Sequence, residues 1–218
     1  MKLFEIPMIV TSLVGLCFLT GLDTPAVRAD FRFGKRVNLG PTVNSPQGDG
    51  IPIISPDGLE LYFGSNRPGG CGDWDIWMSK RASMEDPWGP PVNLGPGTNS
   101  ASWEYPTSVS YDGLTLYFVA QAGTQADMYM ATRPARDAPW GPRVNLGPVL
   151  NRPDGGGGDA LSGADVGGII SPDDLELFFA SHRPGAMSAD IYVTTRATPA
   201  DPWGPPVNLG PPIKHFRS

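Results

Sequence analysis

Cysteine, histidine and charge are all scarce in this 218-residue chain, which has two cysteines, two histidines and 17% charged residues. Each scarcity removes a class of protein. Two cysteines cannot build a disulfide framework, and Cys17 falls in a segment expected to be cleaved, which leaves Cys71 without an intramolecular partner. No His/Cys cluster has metal-ligand spacing, and no cofactor is expected. Ser181 and His182 are mere sequence neighbours, and no Gly-x-Ser-x-Gly nucleophile elbow occurs. The net charge is −6, and without a basic patch neither nucleic acid nor an anionic membrane has a footprint. The longest apolar stretch, residues 6–22, is broken by Pro7, Thr11 and Gly15, which disfavours a permanent membrane span.

Residues 1–29 have the order of a secretory signal peptide: Lys2, then the apolar stretch, then the small residues Val27 and Ala29 flanking Arg28. Leu16 before Cys17 argues against lipoprotein processing. Cleavage after Ala29 would leave residues 30–210 as the folded domain and 211–218 as a C-terminal tail. The expected location is periplasmic or secreted, with no membrane span after cleavage.

Glycine and proline are abundant, with 28 and 25 copies. That content disfavours helices, and without a Gly at every third position it is not collagen. Six Trp, six Tyr and nine Phe supply a core that a disordered chain would lack. An all-β chain dense in turns remains.

Internal repeats specify its form. Val-Asn-Leu-Gly starts at Val37, Val92, Val144 and Val207. Between the copies lie three versions of one turn and strand, from Ser55, Ser110 and Ser171, with turn aspartates Asp57, Asp112 and Asp173. Each is followed by a triplet headed by Asp75, Asp127 or Asp190. Six residues on stands Arg81, Arg133 or Arg196, and seven further on Trp88, Trp140 or Trp203. One repeat predicts four strands: a (51–55), b (59–65), c (75–80) and d (about 88–94). Pro56 and Gly58 suit a type I turn between a and b, and Asp174 replaces that glycine in the third copy. Four short antiparallel strands repeated about every 50 to 60 residues describe propeller blades. Their expected spans are 51–94, 105–146 and 166–209, with a spare d-type strand at 35–39.

The Ser-Pro-Asp-Gly turn, the Leu-Tyr-Phe strand and the Asp-Ile-Trp triplet resemble the WD-repeat-like, Pro-Asp-type β-propeller repeat of TolB-like proteins. The resemblance covers about residues 34–210. It implies a β-propeller fold; such repeats serve binding scaffolds, translocation components and domains attached to enzymes. Closed propellers usually have at least four blades. Three blades therefore predict a partial propeller that is either completed by oligomerisation, most simply two chains in a six-bladed ring, or a shortened fragment of one.

Repetition separates scaffold from candidate site. The turn aspartates, triplet aspartates and Arg–Trp pairs recur in every blade and are expected to serve it, each Arg stacking on its Trp. At the opposite, loop-rich end, Asp49, Glu104 and Asp165 enter strand a, and Asn44, Asn99 and Asn151 follow their Val-Asn-Leu-Gly asparagine by six residues. Carboxylates and amides at a channel mouth could hold a cation or sugar hydroxyls, or bond to loop backbone. The unrepeated Trp74 and Trp103 are candidates for stacking on a sugar ring. Asp154 and Asp159 bracket a glycine run in an inserted loop and are weak candidate cation ligands, without the alternation of an EF-hand. Paired carboxylates for glycoside hydrolysis would have to come from Asp49, Glu104 and Asp165. The expected function is a non-catalytic exported scaffold binding an envelope or extracellular protein or its own copy. The alternatives are a glycan-binding propeller and then a glycoside-active enzyme.

Overall fold

The computed structural model describes residues 34–123, 125–152, 165–184, 186 and 189–210. The expected signal segment 1–29, the candidate ligands Asp154 and Asp159 and the expected 211–218 tail lie outside the described residues. Residues 1–37 form one unit and residues 38–218 another. The second unit contains three four-stranded antiparallel sheets and no helix among the described residues.

The first sheet comprises β1 (Asp49–Ile54), β2 (Glu60–Ser65), β3 (Asp75–Lys80) and β4 (Val92–Asn93). The second comprises β5 (Glu104–Val109), β6 (Thr115–Ala122), β7 (Gln125–Thr132) and β8 (Val144–Asn145). The third comprises β9 (Val166–Ile170), β10 (Glu176–Ser181), β11 (Asp190–Thr195) and β12 (Val207–Asn208). Each sheet is ordered a-b-c-d as a simple meander.

The a–b turns are one structure made three times. Ser55 Oγ donates to Asp57 Oδ1, which also accepts the Leu59 N–H, and Ser55 Oγ accepts the Glu60 N–H at 2.9 Å. Ser110 with Asp112 and Ser171 with Asp173 repeat it. The closing residue needs a left-handed backbone: φ is 73° at Gly58, 75° at Gly113 and 60° at Asp174. Aspartate is among the few residues that tolerate this.

Strand d and the spare N-terminal strand differ from expectation. Strand d covers two residues instead of seven, because Pro87, Pro90 and Pro91 have no N–H to donate and only Val92 and Asn93 pair with β3. Residues 35–39 form no strand: every c strand in the described residues already carries its own d strand. Strand a also starts earlier, at Asp49, and strand b one residue later, because the Leu59 N–H is held by the turn.

Packing between sheets follows the two-residue alternation of strands. Tyr62 and Ile76 of the first sheet meet Leu116, Phe118 and Val109 of the second. Tyr117 and Met128 on the second sheet's other face meet Leu177, Phe179 and Ile170 of the third. Burying each such side chain contributes about 1.5–3 kcal/mol. β5 crosses β1 to β3, and β9 crosses β5 to β7. No comparable packing joins the first sheet to the third among the described residues, so the series is open at both ends.

Candidate functional site

The three strand-a acids stand where their repeat position puts them, but each is engaged by its own sheet. Asp49 accepts hydrogen bonds from the Ser45 N–H (2.6 Å), Ser45 Oγ, Ser65 Oγ and Arg67 (2.6 Å). Burial pushes its carboxyl up, and those bonds outweigh it, holding the group below the usual aspartate range. Glu104 is fully buried and accepts from the Ser100 N–H and Oγ and from Arg143 at 3.1 Å. Burial dominates there and raises its carboxyl despite these bonds. Asp165 lies between Arg152 (3.4 Å) and Arg183 (3.5 Å). Among the described residues no group of three acidic, histidine or cysteine side chains is placed to hold a metal ion.

The arginines in this arrangement escape a search for acids and aromatics. Arg67 lies over Phe63 and Trp77, and Arg183 over Phe179 and Tyr192. Both follow strand b in a Ser-x-Arg-Pro-Gly segment, a signal present in the sequence. The second sheet has Ala122 at that position, and Arg143, from before β8, fills the equivalent space over Tyr129.

The asparagines are structural joints. Asn99 accepts from the Ile76 N–H at 2.9 Å and donates to the Ile76 carbonyl (3.1 Å) and to Asn93 Oδ1 (3.0 Å). Asn151 does the same to Met128 and Asn145. Each therefore ties the start of one sheet to strand c of the preceding one.

At the turn end, Arg81, Arg133 and Arg196 lie 4.5, 4.5 and 4.2 Å from the rings of Trp88, Trp140 and Trp203. The triplet aspartates hold the d strand: Asp75, Asp127 and Asp190 accept from Asn93, Asn145 and Asn208. Asp75 also accepts from the backbone N–H groups of Cys71 and Gly72.

The structure does bring Trp74 and Trp103 together. A short parallel bridge joins them, fixed by Glu104 N–H to the Trp74 carbonyl (2.7 Å) and Asp73 N–H to the Ser102 carbonyl (2.8 Å). Tyr105 packs against both rings, with centroids 5.7 Å from Trp74 and 5.3 Å from Trp103. Glycines make the room: a Cβ on Gly48 would meet Trp74 at 2.6 Å, and one on Gly64 would meet Tyr105 at 2.8 Å. The result is a half-buried aromatic patch between the first two sheets.

No protein-family model matches the sequence, and the comparison with curated proteins found no relative. Among solved structures the chain is similar to a putative TolB from Agrobacterium tumefaciens, at 17% identity and a TM-score of 0.46. The likeness covers 72% of this chain and 44% of that one, so the chain spans less than half the length of that protein.

Proposed function

We propose that the three sheets are β-propeller blades of an exported, non-catalytic scaffold that works in the periplasm or outside the cell and binds protein through the open ends of the blade series. The observation that carries this is a difference in burial between equivalent residues. Val109 and Ile170 end their strands inside sheet–sheet cores and are 8% and 9% exposed, whereas Ile54, at the same position of the first sheet, is 53% exposed. At the other end Ile169 and Ile191 are 59% and 39% exposed. Apolar surface left open in this way marks an interaction face. The neutralised strand-a acids, with Glu104 sealed from solvent, offer no acid–base pair for catalysis. A photo-crosslinking residue at Ile54 or Ile169 is expected to trap a protein, identified by mass spectrometry, while one at the rim residue Val144 traps none. Equal yields at all three positions would overturn this reading.

A second reading, glycan binding, is favoured by the Trp74–Tyr105–Trp103 patch. On that reading, glycan-array signal falls at least about ten-fold in Trp74→Ala and Trp103→Ala, the loss of about 1.4 kcal/mol of stacking. No signal from the wild-type chain would remove it.

A further inference from the structure

The two internal sheet junctions share a set of contacts, and each open end carries half of it. Three asparagines occupy the joint position, Asn44, Asn99 and Asn151, and three c strands present the peptide they cap, at Ile76, Met128 and Ile191. Asn99 caps Ile76 and Asn151 caps Met128. That leaves Asn44 at one end and Ile191 at the other. Asn44 is already oriented by the bond that orients its counterparts, donating to Asn38 Oδ1 at 2.8 Å. No c strand stands before it among the described residues. The fourth Val-Asn-Leu-Gly segment is followed at the joint position by Lys214 instead of asparagine, so the chain has no fourth joint asparagine for Ile191. Ile76 and Met128 are 0% and 2% exposed, and Ile191 is 39% exposed.

The turn end repeats this asymmetry in charge. Arg133 of the second sheet reaches back to the first, donating to both carboxylate oxygens of Glu60 at 3.1 and 2.6 Å. Arg196 of the third reaches back to Tyr117 of the second at 3.3 Å. Arg81, the equivalent in the first sheet, has no preceding sheet among the described residues; its Nη1 donates to the Met84 carbonyl, as Arg133 does to that of Arg136, and its Nη2, which in Arg133 grips Glu60, meets only the Met84 sulfur at 2.9 Å. Glu176, which occupies the Glu60 position of the third sheet, is exposed and pairs across its hairpin with Thr195. It has no ion pair among the described residues. One end thus offers an unmatched cation and the other an unmatched anion at equivalent positions. The cation end also has a shallow groove of about 130 Å³ lined by Leu39, Val43, Pro52, Leu61 and Phe63. Leu39 is 48% exposed, whereas its counterparts Leu94 and Leu146 pack into the sheet–sheet cores.

We propose that the occupant of both open ends is a second copy of this chain, docked head to tail. Glu176 of each copy then meets Arg81 of the other, and Asn44 of each caps the Ile191 peptide of the other. The proposal rests on the protein-binding reading of the ends and names the partner. Two copies joined this way form two identical heterologous interfaces, and closure into a ring leaves no open sheet face.

Light scattering after size exclusion tests it on the full chain at micromolar concentration. The wild type is expected at the mass of two chains. Glu176→Arg and Arg81→Glu are each expected at half that mass, because both interfaces then hold like charges. An equimolar mixture of the two variants is expected to regain the two-chain mass, since one of the two contacts then joins opposite charges as in the wild type and the other joins them in reversed order. Arg81 also stacks on Trp88, so Glu176→Arg, which changes an exposed side chain, carries the test of docking with the thermal unfolding profile as the control on fold. A monomeric wild type, a dimeric Glu176→Arg or a mixture that stays monomeric would overturn the proposal. If the wild type is monomeric while Ile54 crosslinks to a different protein, self-docking fails and the protein-binding reading stands.

Discussion

Replacing Glu60 with alanine is expected to lower the unfolding free energy by about 3–5 kcal/mol in denaturant titrations. Glu60 and Arg133 are 4% and 3% exposed, and the guanidinium grips the carboxylate through both terminal nitrogens. Lys80 Nζ at 2.8 Å and Tyr62 Oη at 2.8 Å complete the shell. Removing the carboxylate leaves a buried cation between two sheets with nothing to neutralise it, and that cost exceeds the value of the intact pair. The pairwise replacement Glu60→Leu with Arg133→Met is expected to recover most of the loss, because it removes both desolvation costs. Burial pushes the Glu60 carboxyl up, but the bonds from Arg133, Lys80 and Tyr62 outweigh it and set the group below its ordinary value of 4.5. A depressed acid stabilises the fold above its unfolded value and loses that contribution as pH falls through the folded one. The stability gap between wild type and Glu60→Ala should therefore be full at neutral pH and narrow below about 4.5. A gap that widens on acidification would contradict the pairing.

The second large effect is at the joints. Asn99→Ala and Asn151→Ala are each expected to lower the unfolding free energy by about 3 kcal/mol. Asn99 is 2% exposed and Asn151 6%, and each makes three hydrogen bonds that water cannot replace. Truncation orphans the N–H of Ile76 or Met128 inside a closed junction. Hydrogen exchange gives the local measure: those two amides should lose protection before the strand centres do. Unchanged protection in both variants would mean that water substitutes for the amide.

Much of the architecture is legible because the repeats carry their own punctuation. Pro-Asp-Gly turns and the alternation of Leu59, Leu61 and Phe63 locate strands a to c within one or two residues of their observed ends. Strand d is shorter than the repeat suggests, because the Trp-Gly-Pro segment recurs in all three copies without pairing regularly. Its prolines cannot donate, so the chain there is held by isolated bonds such as Gly89 N–H to the Lys80 carbonyl. The spacing of Asn44, Asn99 and Asn151 marks them as a set. Spacing does not show that Asn99 and Asn151 each reach a peptide 23 residues earlier on another sheet. The strand-a acids are legible as a ring of charge, and Arg67 and Arg183 share a Ser-x-Arg-Pro-Gly segment at one spacing from their acids, whereas Arg143, which reaches Glu104 from the approach to strand d, follows no repeat. Trp74 and Trp103 stand out as unrepeated, but Tyr105, which links them, occupies a position that nothing in the pattern emphasises.

Arg143 has a consequence for recombining these repeats. In the first sheet the guanidinium that faces the strand-a acid arrives from the end of strand b, in the third Arg183 arrives from there and Arg152 joins it, and in the second the guanidinium arrives from the approach to strand d. A hybrid sheet with strands a to c of the second repeat and the d segment of the first would enclose Glu104 with no cation beside it. The reciprocal hybrid would place two guanidinium groups around Asp49, the number that Asp165 already has. Position-by-position exchange among the repeats therefore breaks a charge balance that whole-sheet exchange preserves, so the four strands behave as one inheritable part whose internal spelling is free to differ.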